Sequence, residues 1–210
     1  MPYFKNENIN LLFIHIPKTG GTSVEQYLSK KYNIQLNYES LWSSSKDDKK
    51  KLGINSSLHH LTFNEIYKYK DIFNIDFNYL KMITIVRNPY ERIVSDLFWY
   101  KLININSTSE EVFEVIKNYI KSSNYDNHNI PQYLFVINDN GKVFKNIKIF
   151  CTNTLDYDMI NAGYQDFNIK HNSNNLEINY FNYLNNDSIE LINSFYDNDF
   201  SIFKFNKIKI

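Results

Sequence analysis

The chain has 210 residues, with 23 Lys and Arg against 23 Asp and Glu. It therefore lacks the overall positive field that draws a protein to nucleic acid or anionic lipid, and any anion site must be local. A 43% apolar content with 17% aromatics excludes a generally disordered chain, and the length suits one α/β domain over residues 1–210. A single cysteine, Cys151, excludes an internal disulfide framework and a multi-cysteine zinc site. No apolar run reaches the ~18 residues of a membrane helix, and the start, MPYFKNENIN, lacks a signal peptide's apolar stretch. These features predict a soluble, cytoplasmic protein.

Residues 11–16, LLFIHI, predict a buried strand that meets a tight turn at Pro17 and Gly20-Gly21. Val24, Tyr27, Leu28 and Tyr32 then recur at helical spacing, predicting a helix over 22–32 with Gly21 or Thr22 as N-cap. Residues 37–57, with a serine cluster and a lysine–aspartate run, predict a solvated, mobile loop. Leu61, Ile66, Tyr69 and Ile72 predict another helix. Residues 82–86 predict a second buried strand, followed by a helix over 90–101. Further helices are predicted over 109–121, 131–137 and 187–196, and a third strand over 147–150. Apolar strands alternating with helices give an α/β fold, P-loop-like, with a mostly parallel sheet flanked by helices on both faces. Ligands are then expected where strand C-termini open into turns.

The first such turn carries Pro17-Lys18-Thr19-Gly20-Gly21-Thr22-Ser23. Its glycines let backbone N–H groups approach an anion, the helix start adds partial positive charge, and Lys18, Thr19, Thr22 and Ser23 add a cation and hydroxyls. The Walker form G-x-x-x-x-G-K-[ST] is absent. About seventy residues on, the second strand ends at Arg87-Asn-Pro-Tyr-Glu-Arg-Ile-Val-Ser95. There an Arg fork and a Ser hydroxyl can hold a second phosphate. The bland alternative puts Arg87 and Arg92 in ion pairs with Glu91 or Asp96. Two anion holders on two strand ends suit one ligand with two anionic ends.

Ile14 to Val24 and Val86 to Ser95 resemble the two cofactor motifs of sulfotransferases that use 3'-phosphoadenosine 5'-phosphosulfate (PAPS). They are most similar to those of the carbohydrate group containing heparan sulfate 2-O- and chondroitin-type enzymes. The similarity extends to Leu58-His-His-Leu-Thr-Phe63, Pro131 to Phe135, the strand at 147–150, Lys170 to Ser173 and Tyr196 to Phe203. The resemblance implies that Lys18, Thr19, Gly20, Gly21, Thr22 and Ser23 hold the 5'-phosphosulfate, and that Arg87 and Ser95 hold the 3'-phosphate. It also implies that a loop around His171, Asn172 and Ser173 closes over the nucleotide. Cys151 departs from the family, many of whose members carry an acidic residue just after this strand.

Sulfuryl transfer has a loose transition state, so the enzyme chiefly aligns the acceptor and stabilises the leaving oxygen. Lys18 suits that side. A His can take the acceptor's proton at neutral pH, with His60 the first candidate and His59 the second. His15 reads as a satisfied sheet residue. His128 lies in a polar segment bordering the acceptor cleft in relatives. The five histidines show no metal-ligand spacing, and no metal is expected. Phe98, Trp99 and Tyr100 read as core, and Trp42 as a loop residue or a platform for a sugar. Expected partners are PAPS, its product 3'-phosphoadenosine 5'-phosphate (PAP), and a carbohydrate or similar hydroxyl-bearing acceptor. The alternatives are a P-loop-type kinase-like enzyme and a nonenzymatic nucleotide-binding module.

Overall fold

The structure is a computed structural model that describes residues 1–37, 53–54, 56–123, 125–168 and 178–210. Its sheet has the order β1-β2-β3-β4, built from Tyr3–Asn6, Ile9–Ile14, Lys81–Val86 and Ile147–Cys151. β1 runs antiparallel to β2, whereas β2, β3 and β4 are mutually parallel. The mostly parallel sheet is as expected. The polar opening of the chain forms an edge hairpin that the sequence did not predict, and β2 starts two residues earlier than expected and ends at Ile14. Phe4 of β1 is fully buried, so a single large apolar residue anchors an otherwise polar edge strand.

Helices cover both faces. In β2, Leu11 and Phe13 point to one face with Ile83 and Ile85 of β3, beneath α1 (Gly21–Tyr32) and α5 (Leu155–Asn161). Leu12 and Ile14 point to the other with Met82 and Val86, against α2 (Phe63–Lys68) and Phe135. This is the period-two alternation of a sheet buried on both sides. A third apolar cluster joins α3 (Pro89–Trp99), α4 (Ser109–Tyr119), α6 (Asn186–Phe195) and α7 (Asp197–Phe203).

Several helical expectations change. The pattern from Leu61 to Ile72 yields only α2, started by a capping box between Thr62 and Glu65, because the two preceding histidines occupy a separate 3₁₀ turn, Leu58–His60. Residues 131–137 contribute a 3₁₀ turn, Gln132–Phe135, in place of an α-helix. α5 and α7 were not anticipated. Both are seven residues long, too short for a clear helical period to emerge. Trp99 is 64% exposed and does not belong to the core. Residues 38–52, including Trp42, lie outside the described residues, but Ile54, Ser56 and Ser57 at the end of the expected loop are buried.

Candidate active site

β2 and β3 are adjacent and parallel, so their C-terminal ends deliver the two sequence motifs side by side. After Ile16 and Pro17 the backbone turns sharply: Lys18 has φ 64° and Gly20 φ 89°. The Thr19 side chain is buried and its hydroxyl donates to the Ile16 carbonyl at 2.8 Å. Thr19 therefore shapes the turn with its hydroxyl. Gly20, not Gly21 or Thr22, is the N-cap of α1. It provides no side-chain cap, and the first turn has no acidic residue, which leaves the positive end of the helix suited to an outside anion. Thr22 is exposed and Ser23 half-buried at that end.

Gly21 is required for a different reason. A Cβ there would lie 2.8 Å from Nε2 of His15, a ring fixed in the core. Gly21→Ala is expected to destabilise the fold by about 1–3 kcal/mol through overpacking. The denaturant midpoint would drop at unchanged slope; an unchanged midpoint would mean that His15 is free to move.

Arg87 leaves β3 toward the same turn. Its Nη1 lies 3.4 Å from the Lys18 carbonyl, its Nε donates to Glu91 at 3.1 Å, and its guanidinium sits 4.8 Å from the Tyr180 ring centre. Part of the bland alternative is therefore real: Arg87 does pair with Glu91. Its backbone is held by Gln132, which accepts from the Arg87 N–H and donates to its carbonyl, both at 2.9 Å. Gln132 is held in turn by buried Asp199. Arg92 does not form a surface ion pair. It is buried and donates to the carbonyls of Pro17, His128 and Ile130, binding α3 to the Lys18 turn. Ser95 is half-buried, two turns into α3.

Lys18 lies over the exposed Trp99 ring at 4.4 Å. Burial lowers its pKa; Asp96 opposes that shift and the Arg87 cation adds to it. The Arg87 cation thus disfavours the charged form of Lys18, a repulsion that a bound anion would relieve.

Beside the turn lies a buried cluster of four histidines that their sequence spacing did not reveal. The rings of His15 and His59 are 4.1 Å apart between centres, those of His59 and His60 are stacked at 4.6 Å, and His60 meets His128 at 4.7 Å. Each is held by a carboxylate. Glu25 of α1 accepts from His15 Nδ1 at 2.5 Å and from His59 Nε2 at 2.7 Å. Asp126 accepts from His60 Nδ1 at 2.8 Å, and Asp96 from His128 Nδ1 at 2.7 Å. Burial works to raise the Glu25 carboxyl, but the two imidazoles hold it down at about 2. Burial pushes His60 down to about 4, against the opposing pull of Asp126. His15 is the satisfied residue expected, whereas His128 is buried and not part of an open polar segment.

Two groups in this cluster, His15 with His59 and His60, and His60 with Asp126 and His128, bring one ligand atom per residue within 4.8 Å, close enough to hold an ion. Three of these imidazoles already use Nδ1 to bond a carboxylate. The sequence did not reveal that Glu25, Asp96 and Asp126 hold these histidines, since the pairs lie 10 to 66 residues apart at no motif spacing. His171, Asn172 and Ser173 lie outside the described residues. Half-buried Cys151 ends β4, and its N–H donates to Asp158 at 3.0 Å, so the acidic group at this strand end comes from α5.

The model of the sulfotransferase family matches residues 1–206 of this chain, and the chain belongs to that family. It is accordingly a transferase of sulfuryl groups to a hydroxyl-bearing acceptor. No curated protein and no solved structure matches it. Among the described residues no helix is long and apolar enough to cross a membrane.

Proposed function

We propose that residues 1–210 form one domain that transfers the sulfuryl group of PAPS to a hydroxyl of a carbohydrate or similar small polar acceptor. The observation that carries this reading is the proximity of a candidate base to an anion cradle. The His15 ring packs against Gly21 at the start of α1 and lies 5.4 Å from the His60 ring. The α1 N-terminus, Lys18, Thr22 and Ser23 receive the 5'-phosphosulfate, with Thr19, Gly20 and Gly21 shaping the turn. Arg87 and Ser95 receive the 3'-phosphate, for which Arg87 exchanges its Glu91 partner. Lys18 stabilises the oxygen that leaves with the 5'-phosphate. His60 takes the acceptor proton in a site where the ring is only 5% exposed, so little water competes. This chemistry uses no metal.

Radiolabelled PAPS incubated with glycans, lipids and small alcohols tests the activity. Label is expected to enter a hydroxyl-bearing acceptor; no transfer to any of them, with PAP still bound, would instead favour a nonenzymatic nucleotide-binding module. Arg87→Ala should erase most of the preference for PAP over its analogue without the 3'-phosphate, because a charge-assisted fork is lost. Calorimetry with both nucleotides reads this directly, and a preserved preference would move the 3'-phosphate elsewhere.

A further inference from the structure

We infer that Asp126 is a positioning residue that holds His60 as the Nδ1–H tautomer and so directs Nε2 toward the acceptor proton; this rests on the sulfotransferase reading above. An ionised carboxylate only accepts hydrogen bonds, so the 2.8 Å contact between Asp126 Oδ2 and His60 Nδ1 places the ring proton on Nδ1. The carboxylate is itself fixed. Oδ1 accepts from the Ser57 N–H and Oδ2 from the Ser57 hydroxyl, and Asn127 Nδ2 donates to the His60 carbonyl at 3.0 Å. These bonds staple the segment at 126–127 onto the 3₁₀ turn that carries His60.

The staple is strained. Asp126 has φ 49° and Asn127 φ 62°, two consecutive non-glycine residues in the left-handed region, an arrangement that persists only where surrounding contacts enforce it. Burial opposes ionisation of Asp126, yet its hydrogen bonds from His60 and Ser57 keep its pKa below the usual carboxylate range. The imidazoles of His15, His59 and His128 also face His60, and the Ser57 hydroxyl lies 3.4 Å from its Nδ1. Among the four histidines, His60 is the one whose carboxylate comes from a strained loop and not from a helix.

The acceptor oxygen bonds to sulfur as the sulfur–oxygen bond to the 5'-phosphate breaks, and that oxygen leaves with the electron pair as PAP. The acceptor proton passes to His60 Nε2. Asp126 stays ionised against the imidazolium and takes no proton, and the imidazolium then releases its proton to water.

The test combines ring-nitrogen NMR of labelled protein, with the His60 signals assigned by their loss in His60→Gln, and steady-state transfer from PAPS. The wild type should show His60 protonated at Nδ1. In Asp126→Asn the amide can donate to Nδ1, so the proton should move to Nε2. kcat should then fall roughly 10²–10⁴-fold, the range for a general base put out of action by the wrong tautomer, with PAP affinity unchanged, and Asp126→Glu should recover part of the rate. A wild-type Nε2–H tautomer, a kcat within about twofold in Asp126→Asn, or a loss of kcat without a tautomer change would each overturn the inference. The wild-type tautomer is read without Asp126→Asn, so this readout stands even if that variant folds poorly. A wild type that neither binds PAP nor transfers label overturns the sulfotransferase reading, and the role of base with it. An active wild type indifferent to Asp126→Asn overturns the positioning alone.

Discussion

Lys18→Ala is expected to lower kcat for sulfuryl transfer by roughly 10²–10³-fold, the usual loss when one preorganised group that stabilises a developing oxyanion is removed. In a loose transition state charge builds on the oxygen that departs with the 5'-phosphate, while the sulfuryl group is bonded fully to neither side. Lys18 projects from the bend after β2, and Arg92 fastens the neighbouring Pro17 carbonyl to α3, so the cation is held in place before the donor arrives. The loss should fall mainly on kcat, because α1's N-terminus and Arg87 still hold the nucleotide. Lys18→Arg should recover only part of the rate, since a planar fork does not occupy the position of a compact ammonium. Steady-state transfer assays check this; a kcat within about threefold of wild type would remove Lys18 from the leaving-group side.

His60→Gln is expected to cost about 10²–10⁴-fold in kcat/KM, the ordinary range for a general base, with PAP binding preserved. In the wild type burial keeps the His60 pKa at about 4 despite the Asp126 carboxylate. The acid limb of kcat/KM should therefore lie near pH 4, well below the ~6.5 of an ordinary histidine. Asp126, His15 and His128 act on the charge of this ring, and His59 stacks on it. Stability follows the same shift. The unfolded chain binds a proton at this side chain near pH ~6.5 while the folded one resists it, so stability complete above that pH declines as pH falls toward about 4. His15, also lowered by burial, adds in the same direction. An acid limb near pH ~6.5 that disappears in His60→Gln would mean that the base is solvated in the working enzyme.

What the sequence made legible was local and repetitive. The runs at 11–16 and 82–86, each ending in a turn with anion-binding residue types, placed two parallel strands and the two motifs on their ends, and the structure sets those ends side by side. The edge strand at Tyr3–Asn6 escaped notice because its outer face is exposed and only Phe4 is fully buried. The histidine cluster escaped for another reason. His15 lies after β2, His59 and His60 in a 3₁₀ turn, and His128 in a connection; they meet where Glu25 holds His15 and His59, Asp126 holds His60, and Arg92 binds the carbonyls of Pro17, His128 and Ile130. No spacing rule in one sequence encodes such a convergence. The same is true of Gln132, whose amide side chain bonds both backbone groups of Arg87 across 45 positions.

Calorimetric titration with PAP, alongside its analogue lacking the 3'-phosphate and Mg-ATP, tests the central claim most directly. PAP should bind best, the analogue markedly more weakly, and Lys18→Ala with Arg87→Ala should abolish the heat. A chain that ignores PAP and PAPS, or binds Mg-ATP tightly with no preference for a 3'-phosphate, would contradict the account.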